Sequence, residues 1–104
     1  MKVTFSPAAR DDLLAIALYI AQDNPTRTLT FADELEDRCT ALGHAPGIGT
    51  ARPELGDGVL MLPHGRHLIF YRRTQRSVRI ERVMHSARDI GVDDLEAPSD
   101  EAGT

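Results

Sequence analysis

A small α+β domain, with a helical hairpin packed on an antiparallel sheet, is the fold class this chain predicts. Three observations carry that expectation. Residues 8–42 place apolar side chains at helical spacing, interrupted once at Asp23-Asn24-Pro25. Residues 59–83 hold three short segments rich in β-formers, joined by loops of hairpin length. Between these regions lies a stretch too rich in glycine and proline to form a long element. At 104 residues the chain makes one domain with a modest core.

Taken in order, Val3-Thr4-Phe5 alternates as a short strand. Ser6-Pro7 then starts a helix, with serine as cap and proline at the first helical position. From Ala8 to about Gln22, Ala9, Leu13, Ile16, Ala17 and Ile20 share one face. Asp11 and Asp12 are expected in the first turn, where the helix dipole favours acids. Asn24 and Pro25 stop this helix and open a second, which runs to about Leu42. Leu29, Phe31, Ala32, Leu35, Cys39 and Leu42 mark its inner face, and Asp33, Glu34, Glu36, Asp37 and Arg38 its outer one. So short a turn makes the two helices antiparallel.

Residues 44–58 contain four glycines and two prolines, which reads as a loop crossing to the sheet. Three strands follow: Val59 to Leu62, His67 to Tyr71, and Val78 to Val83. In the last, alternation puts Val78, Ile80 and Arg82 on one side and Arg79, Glu81 and Val83 on the other. The domain is expected to span 1–90. Residues 91–104 lose the apolar period and form an acidic, flexible tail, with Val92 and Leu95 as its only packing candidates.

The formal net charge of −4 hides a strong segregation. Residues 1–57 carry −4, residues 58–90 carry +5 through seven arginines, and residues 91–104 carry −5. The second half of the domain is thus cationic, and the tail is an acidic strip able to shield it or simply solubilise it. No apolar run approaches the ~18 residues of a membrane span. No signal-peptide core follows Met1. The single cysteine, Cys39, is a core residue with no disulfide partner, which fits a cytoplasmic protein.

Several chemistries can be set aside. The four histidines and one cysteine show no ligand spacing, so neither a metal nor another cofactor is expected. There is no strand–Gly-x-Ser-x-Gly–helix elbow, and His85 beside Ser86 is a poor base for it. Gly47-Ile48-Gly49 answers loop backbone demands rather than phosphate binding. Ribonuclease chemistry through the 2′-hydroxyl is the enzymatic candidate. It needs a base, an acid and a cation for the phosphorane, which His67, Arg82 and His85 could supply, with Arg66 and Arg88 as further cations.

Other residues divide between packing and binding. Arg52 can bind a target or bridge Glu54 or Asp57. Tyr71 suits a core ring. His85 and Arg88 can contact a target or fix the chain end through loop carbonyls and Asp89. Arg66, Arg72, Arg73 and Arg76 lie at hairpin turns and offer cations to an acidic partner. Leu14, Leu18 and Tyr19 point away from the Leu13/Ile16/Ile20 stripe and offer it an apolar face.

The order and spacing of several segments resemble the ParE branch of the RelE/ParE toxins of bacterial toxin–antitoxin systems. They are Asp11-Asp12-Leu13, Tyr19-Ile20, Asn24-Pro25, Phe31, Leu35, Gly49-Thr50-Ala51-Arg52-Pro53-Glu54-Leu55, Phe70-Tyr71-Arg72 and Arg82-Val83-Met84-His85-Ser86-Ala87-Arg88-Asp89. The resemblance covers about residues 3–90. It implies a toxin that acts by binding: it inhibits DNA gyrase, is neutralised by a ParD-like antitoxin, and serves plasmid stabilisation. DNA contact then comes only through the antitoxin, whose complex represses its own operon, and no membrane is involved. The RelE branch instead cleaves messenger RNA in the ribosomal A site, using second-strand lysines, an arginine after the hairpin glycine and a late tyrosine or histidine. Here the second strand has no lysine, and no tyrosine lies beyond Tyr71. A degenerate nuclease using His67, Arg82 and His85 is the alternative expectation, and an inactive antitoxin-bound member a third.

Overall fold

The computed structural model describes residues 1–88 and 90–95. Strand β1 (Lys2–Phe5) leads into helices α1 (Pro7–Asp23) and α2 (Pro25–Leu42). Strand β2 (Thr50–Ala51) and a 3₁₀ turn (Pro53–Leu55) follow, then β3 (Val59–His64), β4 (His67–Arg73), β5 (Ser77–His85) and a 3₁₀ turn (Val92–Asp94).

Both helices start as their caps dictate. Ser6 Oγ accepts from the Ala9 amide at 3.0 Å, and Asn24 Oδ1 accepts from the Arg27 amide at 3.0 Å. The Asn24 N–H also closes α1 by donating to the Ile20 carbonyl at 2.8 Å, so one residue ends one helix and opens the next. Phe31, Leu35, Cys39 and Leu42 form the inner face of α2. Leu29 and Ala32 do not join it: at about 100° per residue, neither lies on the Phe31 ridge, and both are exposed. Asp11 and Asp12 lie beyond the first turn of α1, which holds no acid.

The sheet has five strands in the order β1-β5-β4-β3-β2. It is mixed rather than antiparallel throughout, because β1 pairs with β5 in parallel, Val3 beside Val78 and Phe5 beside Ile80. Residues 44–58 are not all loop: Thr50 and Ala51 pair with Met61 and Leu60 as an edge strand. Strands β3 and β4 meet at a two-residue turn, where Gly65 takes φ +60° and Arg66 does not, the demand of a II′ hairpin.

The register between β4 and β5 slips at its centre. Phe70 faces Arg82 while Tyr71 faces Ile80, so Glu81 is an extra residue and β5 carries a bulge. Strict alternation fails there. Val83 joins Val78 and Ile80 in the helix-side core, and Met84 turns to the opposite face.

Beyond Ile80, β5 has no strand on its β1 side, and the start of α1 supplies the missing partners there. The Ser6 amide donates to the Ile80 carbonyl at 2.9 Å, and the Ser6 hydroxyl to the Glu81 carbonyl at 2.7 Å. Asp12 Oδ2 accepts from the Val83 amide at 2.9 Å and from Arg82 Nε at 2.7 Å. Its Oδ1 accepts from Arg82 Nη2 at 2.8 Å, and Arg82 Nη1 reaches the Asp94 carbonyl at 2.7 Å. Asp12 is thus a carboxylate graft on a strand edge.

Two cores flank the sheet. On the helix side Phe31, Leu35, Cys39, Leu42, Ile69, Tyr71, Val78, Ile80 and Val83 pack together. Burial pushes the Cys39 thiol up to about 11, so it is an inert core group. The Tyr71 hydroxyl donates to the Pro46 carbonyl at 2.8 Å and accepts from the Gly49 amide at 2.9 Å, pinning the long loop. A Cβ at residue 49 would meet that hydroxyl at 2.5 Å, so only glycine fits. On the far side Leu55, Val59, Phe70, Met84 and Leu95 form a second, smaller core. The chain therefore continues to pack past residue 90, through Leu95. Asp89, the Val92 side chain and most of the expected acidic tail, 96–104, lie outside the described residues.

Replacing Asp12 by alanine removes both the Arg82 partner and the acceptor of the Val83 amide. It is expected to lower unfolding free energy by ~2–4 kcal/mol, read as a lower urea midpoint at unchanged slope. A variant within ~0.5 kcal/mol of wild type would show that solvent replaces the carboxylate.

Candidate interaction surfaces and histidine cluster

The helical hairpin presents apolar residues to solvent. Leu14, Leu18 and Tyr19 are 60%, 59% and 75% exposed, and Leu14 and Leu18 sit one above the other at i, i+4. Leu29 on α2 is equally open, although its sequence pattern reads as inner face. Between the helices runs a groove of about 320 Å³, lined by Leu13, Ala17, Phe31, Leu35 and Cys39 with Arg10 and Glu36 among its polar residues. Phe31, Leu35 and Cys39 remain buried core residues at its floor, as periodicity expects of them.

The arginines do not form one surface. Arg66, Arg73 and Arg76 are exposed at hairpin turns. Arg72 is not with them. It is 8% exposed, donating to Glu81 Oε2 at 3.1 Å and to the Asp57 carbonyl at 3.2 Å. Its position one residue before the end of β4 turns it across the far face of the sheet, so it is withdrawn from any partner-binding set. Arg52 binds Glu54 at 2.5 Å and points its other arm at the Met61 sulfur, 3.1 Å away. That contact holds the Glu54 carboxyl below its usual range. Arg88 pairs with Asp94 at 2.9 Å. These two target-binding candidates are both engaged within the chain.

Of the nuclease set, the fold brings His67 and His85 together and ties Arg82 to Asp12 and the Asp94 carbonyl. His67 and His85 are cross-strand partners. The Ser86 amide donates to the Arg66 carbonyl at 2.8 Å, which makes 67/85 the adjacent non-hydrogen-bonded pair, where side chains stand closest. Their ring centroids are 5.5 Å apart, nearly edge to face. His64 lies opposite His67 across the Gly65-Arg66 turn. Phe31 of α2 lies 5.3 Å from the His67 ring and 6.1 Å from His64. Neither His64 nor His67 is a free turn residue; both are half-buried at the open end of the helix–sheet interface.

The electrostatics follow from this crowding. Burial lowers the His67 pKa below the ordinary imidazole value, and His85 and His64 add like-charge repulsion. His85 Nδ1 accepts from the Ala87 amide at 3.0 Å, so the neutral ring carries its proton on Nε2. Its outward nitrogen is a donor rather than a lone pair. Among the described residues, no group of three or more histidine, cysteine or acidic side chains is placed to hold a metal ion. No helix there is long and apolar enough to cross a membrane.

Residues 3–90 match the family described as the ParE toxin of the type II toxin–antitoxin system parDE. The chain belongs to that family. It is a ParE-type toxin of the RelE/ParE superfamily, as its sequence segments suggest. A solved structure described as a chromosomal ParDE system from P. aeruginosa superposes with a TM-score of 0.71 at 20% identity, covering 82% of this chain and 95% of that one. A toxin–antitoxin complex, RelBE2 from Mycobacterium tuberculosis, gives 0.56 at 28% identity, covering 81% and 95%. No curated protein matches. In this ParE-family fold, the histidine cluster sits at one end of the sheet and the apolar groove lies between the helices.

A His67 imidazole that resists protonation when folded leaves the unfolded chain the stronger proton binder below pH ~6.5. Stability is therefore expected to be level above that pH and to fall as pH drops toward 5. The His67→Gln variant, checked by urea midpoints at pH 7.5 and 5.5, is expected to lose less of its stability over that interval. An equal loss would assign the acid sensitivity elsewhere.

Proposed function

We propose that this chain is the toxin of a ParDE-type pair, held by a ParD-like antitoxin, and that the free toxin inhibits DNA gyrase without catalysis. Family membership over residues 3–90 supports the first half of that reading. The observation that carries the second is the closure of Arg82. Both of its outer contacts to Asp12 and its third to the Asp94 carbonyl are made inside the protein. A messenger-RNA nuclease needs a free cation beside its base to meet the phosphorane charge. His67 and His85 are adjacent, but Arg82, the strand cation of that set, is neutralised, which leaves the exposed Arg66 of the adjoining turn as the remaining cation beside them.

The antitoxin is best accommodated by the hairpin. Leu14, Leu18 and Tyr19 offer an exposed apolar face and the groove bounded by Phe31 and Leu35 a second apolar site, while Arg66, Arg73 and Arg76 offer charge to acidic side chains at the sheet turns. DNA would be reached through the antitoxin alone, and the complex acts in the cytoplasm.

Purified toxin is expected to block gyrase supercoiling of plasmid DNA in vitro while transcripts in expressing cells stay intact. Untouched supercoiling together with A-site transcript cuts would replace this reading with the nuclease one. Co-expression with a neighbouring frame encoding a small DNA-binding protein is expected to restore growth. Leu18→Ala and Tyr19→Ala should each weaken that complex about tenfold, or ~1.4 kcal/mol, with little change in folding stability because both side chains are exposed. Unchanged affinity in both variants would move the interface off α1.

A further inference from the structure

We propose that His67 and His85, with the Gly65-Arg66 turn, form a proton-linked binding site for a carboxylate side chain of the partner protein. The proposal rests on the antitoxin-bound reading above and names one site within it. Three observations converge. The two rings stand at a non-hydrogen-bonded cross-strand pair with centroids 5.5 Å apart, so they address one small volume. His85 presents Nε2–H as a donor, because its Nδ1 is engaged by the Ala87 amide. A metal ion would need a lone pair at Nε2; an oxyanion needs the proton that is there. Arg66, exposed in the adjoining turn, adds a fixed positive charge.

The surroundings select for a single anionic group. The cluster faces His64 on β3, His85 on β5, and Arg27, Phe31 and Glu34 on α2. Glu34 is bonded to Arg27 at 2.9 and 3.2 Å and lies 3.9 Å from His64. Among the described residues, no carboxylate lies within ion-pair distance of His67 or His85. Among those residues the site thus holds donors for an anion without a carboxylate of its own. A polyanion such as RNA would also meet the acidic outer face of α2, with Asp33, Glu34, Glu36 and Asp37, in a chain with one lysine. A lone carboxylate escapes that repulsion.

Binding is coupled to protons through His67. In the free protein, burial and the neighbouring rings keep that imidazole neutral near pH 7. A carboxylate against it favours the imidazolium, so the proton is taken up from solvent as the anion docks. Affinity then rises as pH falls from about 7.5 to about 6, and the gain vanishes without His67.

The test follows the histidine ring carbon–proton signals by NMR while the purified toxin is titrated with acetyl-Asp-Glu-Asp amide. Exposed His44 serves as the internal reference. The expected result is binding about threefold to tenfold tighter at pH 6 than at pH 7.5, with His67 titrating at higher pH when saturated. His67→Gln and the more exposed His85→Gln, each folded by circular dichroism, are expected to bind more weakly, and His67→Gln to lose the pH dependence. Cluster shifts no larger than those of His44 would overturn the proposal, as would tighter binding of an oligouridylate of equal charge. Complex formation with the co-encoded partner is measured separately. Its failure would remove the antitoxin reading and leave the peptide result standing, and the reverse pattern would remove only the site.

Discussion

Strand β5 is the structural keel of this domain, and its bulge at Glu81 sets a demand that the rest of the chain answers. Paired with β4 on one side, it has a strand on its other side only as far as Ile80. Past that point a buried edge would leave amide and carbonyl groups unmatched, at a penalty of the order of 1–3 kcal/mol each. The first turns of α1 meet them with the Ser6 amide, the Ser6 hydroxyl and the Asp12 carboxylate. The same serine caps α1, so helix initiation and strand termination are one event. This fixes the angle at which the hairpin lies on the sheet, and hence the width of the groove between its helices.

The bulge also organises the far face. Glu81, 3% exposed, receives Arg72 at 3.1 Å and has Arg79 within 3.7 Å. A buried carboxylate is tolerable only with such partners, and two cations provide them, Arg72 from the neighbouring β4 and Arg79 from β5 itself. Part of the arginine excess of residues 58–88 is therefore internal wiring. The cationic half of the chain offers a partner mainly its turn residues Arg66, Arg73 and Arg76, which is less surface than the charge count implies.

The two candidate surfaces of this fold differ in their physics. The helical hairpin offers apolar area, which gives affinity through desolvation. The sheet end offers imidazoles and Arg66, groups whose chemistry is directional and, for the imidazoles, dependent on pH. Arg82 is engaged elsewhere: Asp12 and the Asp94 carbonyl hold its guanidinium, which ties β5 to the start of α1.

The α+β class, both helix caps, the turn at Asn24-Pro25 and the three-strand meander were legible in the sequence, because each depends on residues close in the chain. So were the exposed Leu14, Leu18 and Tyr19, which fall off the apolar stripe by simple helical geometry. The parallel pairing of β1 with β5, the burial of Arg72 and the Asp12–Arg82 clamp were not, since each joins residues distant along the chain and leaves no periodic trace. The bulge hid the true facing of Val83 for a related reason: one unpaired residue reverses alternation, and only the opposing strand reveals it. Sequence determined the helices, the meander and the family, while the edge strand Thr50–Ala51, read as loop, needed its partner β3 to show. Tertiary structure decided which charged groups remain available, because that depends on partners no local pattern can specify.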